Sequence, residues 1–392
     1  MVLIKATEGE IDKGIDVTGT PRASRPASFA LQPSQRIIAT VAHPAHTHMT
    51  AHVSLLPIPA CRMVNKTQRI FLGLTFLALV ILAGSLLVGR YPAPYWMPPG
   101  YLWRDDFARR LVLQLRLPRV LTAFLMGAAL ASAGTVFQMI FRNPLVSSGF
   151  LGVSQGAAFG AAFSILFLSR APLVVQTTAG VCAFSGLAFS YTLAQRIRYG
   201  DWALRLVLAG IAISALFSAG VGLLKYVADP LRELPEIVFW MLGGLWAVTW
   251  RDLTTILPLT AASMTLLVLM RWRLNLLALR DETAFSLGAA IHQERAVLLV
   301  AAVVATSALI AVAGIVGWIG LIVPHLARRL VGSDAQHALP ASMLIGGVFA
   351  LVCDDLARTL LSGEIPLGII TSLLGALIFV AMLSSHKLTH KV

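Results

Sequence analysis

The chain has 392 residues, 57% hydrophobic and 12% charged, with a mean hydropathy of +0.79. A soluble domain carries about 25% charged residues, so these figures exclude an ordinary soluble protein and point to a polytopic membrane protein. The formal charge of +13 does not mark nucleic-acid binding: Lys and Arg stand mostly singly or in pairs between apolar runs, where they anchor span ends. Cys61, Cys182 and Cys353 are isolated, which suggests neither a disulfide framework nor a metal site.

Residues 1–62 form a first region, polar and rich in Pro, Thr and His. His43, His46, His48 and His52 cluster there, but no Cys or acid joins them, so a disordered extension is favoured over a metal-binding tail. Met63 opens MVNKTQRIF ahead of a long apolar run, which makes it a candidate start. Residues 63–392 then read as one membrane domain.

About 20 apolar residues cross the hydrocarbon core, and uncharged runs of that kind predict spans at 70–89, 118–141, 149–169, 172–195, 203–228 and 253–271. The run 296–327 is too long for one span and is broken by Gly314, Gly317, Gly320 and Pro324, so it predicts two. Spans at 338–361 and 365–385 complete a total of ten. An even number puts both ends of the domain on one side; a slight excess of Lys and Arg there marks it as the inside. Between spans, 90–115 is an interfacial loop rich in aromatics and prolines, and 229–252 holds a short interfacial helix.

The second span is the most informative. Gly127, Ala131 and Thr135 recur at every fourth position, with Ala128 and Ser132 beside them. Such a row lets another backbone come close, as membrane helices need where lipid offers no hydrophobic drive for packing. Arg142-Asn143-Pro144 ends it, since Pro144 lacks an N–H and steers Asn143 away from α.

No Walker A loop, HExxH or GxSxG is present, so the chain carries no recognisable enzyme motif. His325 reads as a structural histidine. Asp354 and Asp355 lie inside a span with Arg358 three and four residues on, and i,i+4 pairing is favoured over a proton path. The polar segment 272–295 predicts short amphipathic helices joined at Gly288, suited to docking a soluble partner. Gln138 and Ser154, polar within apolar runs, suit either helix-to-helix hydrogen bonds or a path wall.

Several long stretches together resemble the iron-chelate and cobalamin permeases of bacterial ATP-binding-cassette importers. They include LRLPRVLTAFLMGAALASAGTVFQMIFRNPL (115–145), LGVSQGAAFGA (151–161), VLAGIAISALFSA (207–219) and VADPLRELPEIVFWMLGGLW (227–246). LNLLALRDETAFSLG (274–288), GIVGWIGLIVPHLARRLVGSDAQHALPAS (314–342), DDLARTL (354–360) and GEIPLGIITSLLGALIF (363–379) follow in order. The resemblance spans about 66–388.

The resemblance implies an all-α, ten-span fold of the type II importer permease kind, in the cytoplasmic membrane of a prokaryote. It implies a homodimer, two separate ATPase subunits that carry the ATP-Mg, an extracytoplasmic substrate-binding protein, and no cofactor on this chain. By position, Arg116, Arg119 and Arg358 match arginines that meet acidic residues of the binding protein. Ala278, Leu279, Arg280 and Asp281 match the start of the ATPase-coupling segment, and Glu282, Phe285, Leu287 and Gly288 its continuation. Asp201 matches the turn that narrows the inner end of the path. Arg280-Asp281 departs from the family's usual Gly-Glu pair, and DAQH at 334–337 is a loosened form of its Asp-His-Arg. The implied cargo is a ferric siderophore, with cobalamin, haem or molybdate as alternatives. A reading from a different class, an ion-coupled transporter using Asp354 or Asp355, stands beside it.

Overall fold

The computed structural model describes residues 60–91 and 95–386. The histidine cluster lies outside them. Among the described residues every regular element is helical, apart from an isolated bridge between Val88 and Trp96.

The long helices are α1 (Ala60–Leu87), α4 (Leu117–Ile140), α6 (Pro172–Arg196), α7 (Trp202–Val227), α9 (Trp250–Leu269), α12 (Ile291–Ala313), α14 (Ala335–Thr359) and α15 (Leu367–His386). Among the described residues, eight helices are long and apolar enough to cross a membrane. Two of the expected spans are shorter. The third is α5 (Val153–Phe163) followed by one π-turn, Ser164–Leu168, and the eighth is α13, the 13 residues Ile319–Val331. Each is cut at its N-terminal end by backbone in a left-handed conformation, Gly152 (φ 80°) and Trp318 (φ 69°).

The expected loop at 90–115 is largely helical: α2 (Tyr101–Arg104) and α3 (Asp106–Leu111) lead through a π-turn, Val112–Arg116, into α4. Asp105 caps α3, its carboxylate accepting from the Phe107 N–H at 2.9 Å. The interfacial helix after the fifth span is α8 (Glu233–Leu242). In the polar segment, α10 (Arg271–Leu277) and α11 (Asp281–Ser286) meet at Ala278–Arg280, not at Gly288. Gly288 (φ 80°) instead ends α11, because the turn into α12 requires a left-handed residue.

α4 is buried along most of its length. Its small residues explain this, since they let neighbours approach backbone to backbone. Gly127 faces Gly346 of α14: a Cβ on Gly127 would fall 2.6 Å from the Ala350 Cβ, and one on Gly346 2.6 Å from the Ala131 Cβ. Further along the same crossing the Thr135 and Ser342 hydroxyls meet at 2.9 Å. Gly134 lies equally close to Gly320 of α13.

Interhelical bonds sort the connections onto two faces. On one, Trp250 Nε1 donates to Leu113 O at 2.9 Å, and the N–H of Leu367 donates to Gly243 O at 2.8 Å. On the other, Asn275 Nδ2 donates to Asp334 at 2.7 Å and His325 Nε2 lies 3.1 Å from Pro144 O. These are the α2–α3 face and the α10–α11 face.

Candidate functional site

Polar groups concentrate at the two ends of α4. At the α2–α3 face, Arg116, Arg119 and Arg358 are 7%, 8% and 6% exposed, so none stands open at the surface. Arg116 donates to main-chain carbonyls, Leu86 O at 3.1 Å and Tyr91 O at 2.9 Å. Arg119 is held on both sides. Its Nε donates to the two Asp354 oxygens at 3.0 and 3.1 Å and its Nη2 to Oδ1 at 2.9 Å, while Nη1 donates to Glu364 at 2.9 and 3.0 Å. Arg358 pairs with Asp354 at 3.2 Å and with Asp355, and also donates to Ser85 O at 3.2 Å. Ser85 Oγ in turn donates to Asp355 at 2.6 Å.

The i,i+4 pairing expected between Asp354 and Arg358 is therefore present, but it is half of a larger network. Arg119 and Glu364 extend it on one side, across a gap of 245 residues, and Asp355 and Ser85 on the other. Glu364 was the missed member. Its standing as a lone acid between two apolar runs is the one sequence signal that could have marked it.

At the α10–α11 face, the Asp281 carboxylate accepts from Arg295 at 2.6 and 2.9 Å and from Arg142. Hydrogen bonds from Arg295, against some burial and with help from Arg142, pull the Asp281 carboxyl down to about 2. The guanidinium of Arg295, itself 3% exposed, lies over the Trp202 ring at 5.0 Å. Trp202 stacks on Phe141 at 5.6 Å. Around this clasp the surface is apolar: Phe285 is 75% and Leu287 57% exposed, with Leu279 beside them. Ala278 is half-buried, and Arg280, Glu282 and Gly288 are exposed. Asp334 caps α14 and bonds Asn275; burial opposes this, but the Asn275 amide and the Gln336 N–H hold its carboxyl below the usual carboxylate range.

The expected path residues have local partners. Asp201 caps α7, accepting from the Leu204 N–H at 2.9 Å. Gln138 is a helix-to-helix bonder: Nε2 donates to Leu321 O at 2.9 Å and Oε1 accepts from Arg328. Ser154 is half-buried in the first turn of α5. None of the three lines the cavity of about 800 Å³ that lies among α6, α8, α9 and the end of α12, whose polar lining includes Arg170, Gln176, Glu236 and Asp252.

Residues 76–385 match the FecCD transport family. The chain belongs to that family. Among its relatives, the hemin transport system permease protein HmuU of Yersinia pestis is 40% identical over 327 residues, covering 81% of this chain and 96% of the relative. The molybdate import system permease protein MolB of Haemophilus influenzae is 38% identical, covering 80% and 95%. A solved structure described as a metal-chelate type ABC transporter, in an inward-facing conformation, superposes with a TM-score of 0.75 at 36% identity, covering 81% of this chain and 99% of that one. As a FecCD permease, the chain is the multi-pass inner-membrane transport subunit of an ABC importer. Hydrolysis of ATP belongs to its partner ATPase.

Proposed function

We propose that this FecCD permease moves a metal chelate of the iron-siderophore type inward, as a homodimer with two ATPase subunits on its α10–α11 face. The observation that carries the ATPase assignment is the exposure of Phe285 and Leu287 on a short helix fastened to the bundle by Asp281. Large apolar side chains on a charged membrane-protein face need a partner to cover them. Exposed Leu216 and Leu223 of α7 and Leu373 and Leu377 of α15 supply apolar flanks for a second copy. Iron chelates are favoured as cargo by relatives named for hemin, iron chelatin and Fe(3+)-citrate. The relatives named for molybdate and vitamin B12 make those the alternatives.

The opposite face receives the substrate-binding protein. Arg104, Arg109 and Arg110 are exposed there. Arg116, Arg119 and Arg358 lie beneath, so an acidic partner reaches Arg119 by replacing Glu364, which is the solvent-facing half of that pair.

The test is uptake into proteoliposomes holding this chain, its ATPase and its binding protein. Transport of a ferric siderophore that needs ATP supports the reading. Uptake driven by a proton gradient without ATP would replace it with the ion-coupled alternative. For the docking surface, F285D/L287D is expected to abolish co-purification of the ATPase, and retained co-purification rejects that surface.

A further inference from the structure

The groups around Asp281 close a ring. Its carboxylate binds Arg142 and Arg295; Arg295 lies over Trp202 at 5.0 Å; Trp202 stacks on Phe141 at 5.6 Å; and Phe141 is the chain neighbour of Arg142. Four segments are joined: the start of α11, the second turn of α12, the first residue of α7 and the turn after α4. The ring extends to a fifth, since His325 of α13 bonds Pro144 O two residues beyond Arg142.

Two features give the ring more than a fastening role. Arg142 sits at φ 49°, a left-handed conformation that a non-glycine residue keeps only when its surroundings hold it. Trp202 directly follows Asp201 and the turn 197–200, which ends at the left-handed Gly200. Arg295 is almost fully buried, so a shift of Asp281 must move either the guanidinium or the indole it covers. Close-packed groups of this kind switch between arrangements; they do not deform smoothly.

We propose that Asp281 is a positioning residue that passes displacement of α11 to the turn 197–202 through Arg295 and Trp202, and to the turn 141–147 through Arg142. This rests on the reading that the α10–α11 face carries the ATPase. When α11 moves, Asp281 leaves Arg142, which is then free to exit its left-handed conformation, and Arg295 drags the Trp202 end of α7.

The experiment uses the assembled complex of permease, ATPase and binding protein in proteoliposomes. Tyr199, exposed in the 197–200 turn, is replaced by cysteine for maleimide labelling in a background with Cys61, Cys182 and Cys353 changed to Ala. Labelling is compared with and without ATP plus vanadate, so the readout is independent of cargo. In D281N the ATP-dependent change in labelling, measured per copy of ATPase retained on the complex, is expected to fall at least about fivefold, the lower end of ordinary allosteric coupling. D281E is expected to restore it. R142G tolerates the left-handed backbone but removes the pair; it should match D281N, and the double variant should be no worse than either alone.

An unchanged labelling response in D281N, or in R142G should D281N fail to reach the membrane, overturns the proposal. Loss of ATPase co-purification in D281N also overturns it, because Asp281 would then be a docking residue. Failure of the underlying reading shows separately, as ATPase retained by F285D/L287D.

Discussion

Arg119→Met tests the buried network at the α2–α3 end of α4. Among the described residues, every hydrogen bond to the Asp354 carboxylate comes from Arg119, and Asp354 is 0% exposed. Its remaining partner is Arg358 Nε at 3.2 Å, an ion pair without hydrogen-bond geometry. Removing one member of a buried pair costs about 3–5 kcal/mol, because a buried charge loses its compensation. The Arg358 contact keeps the expected loss near the lower figure, about 3 kcal/mol. Glu364 adds little, since its side chain is 38% exposed and regains water. Replacing both partners by apolar groups removes the orphaned charge, so R119M/D354L should recover to within about 1 kcal/mol of wild type; Arg358 keeps Asp355 and the Ser85 and Val88 carbonyls. The assay is SDS titration of the purified protein in mild detergent, followed by loss of helical circular dichroism. A cost below about 1 kcal/mol for R119M, or a double variant as unstable as the single, refutes the reasoning.

Gly346→Val should force α4 and α14 apart and cost about 1–3 kcal/mol in the same titration, because its Cβ alone would fall 2.6 Å from that of Ala131. Gln138→Leu removes the acceptor of Arg328 and the donor to Leu321 O, which should cost about 1–3 kcal/mol and be visible as faster trypsin cleavage after Arg328 or Arg329. Asp281 contributes stability that depends on pH. Its carboxyl is lowered in the folded state, so the unfolded chain takes up the proton first, and the contribution is complete above about pH 4 and lost as pH falls through about 2. A drop to about 2 converts to roughly 2.5 kcal/mol, which screening of a side chain 48% exposed cuts to about 1 kcal/mol. D281N should lack this component when unfolding is compared between pH 5 and pH 2.5.

Membrane class, the long helices and the close-packing face of α4 were legible in the sequence. Each depends on a local property, such as length of apolar run or spacing of small residues along one helix. The same holds for the strings that tie the chain to the FecCD family, since they occur in order along it. What the run lengths could not show was where short spans begin. α5 and α13 start at left-handed Gly152 and Trp318, conformations that neighbouring helices hold in place.

The polar residues needed the fold for a different reason. Arg119 is next to nothing in sequence that explains it; its partners Asp354 and Glu364 lie 235 and 245 residues away. The ring of Asp281, Arg295, Trp202, Phe141 and Arg142 likewise joins the ends of separate helices. Residence in a bilayer and the helices that can pack closely are readable from composition, because hydrophobic burial and backbone approach are local properties of the chain. Which charges neutralise each other is visible in the folded chain alone, because a charge inside a membrane protein must find its partner through space.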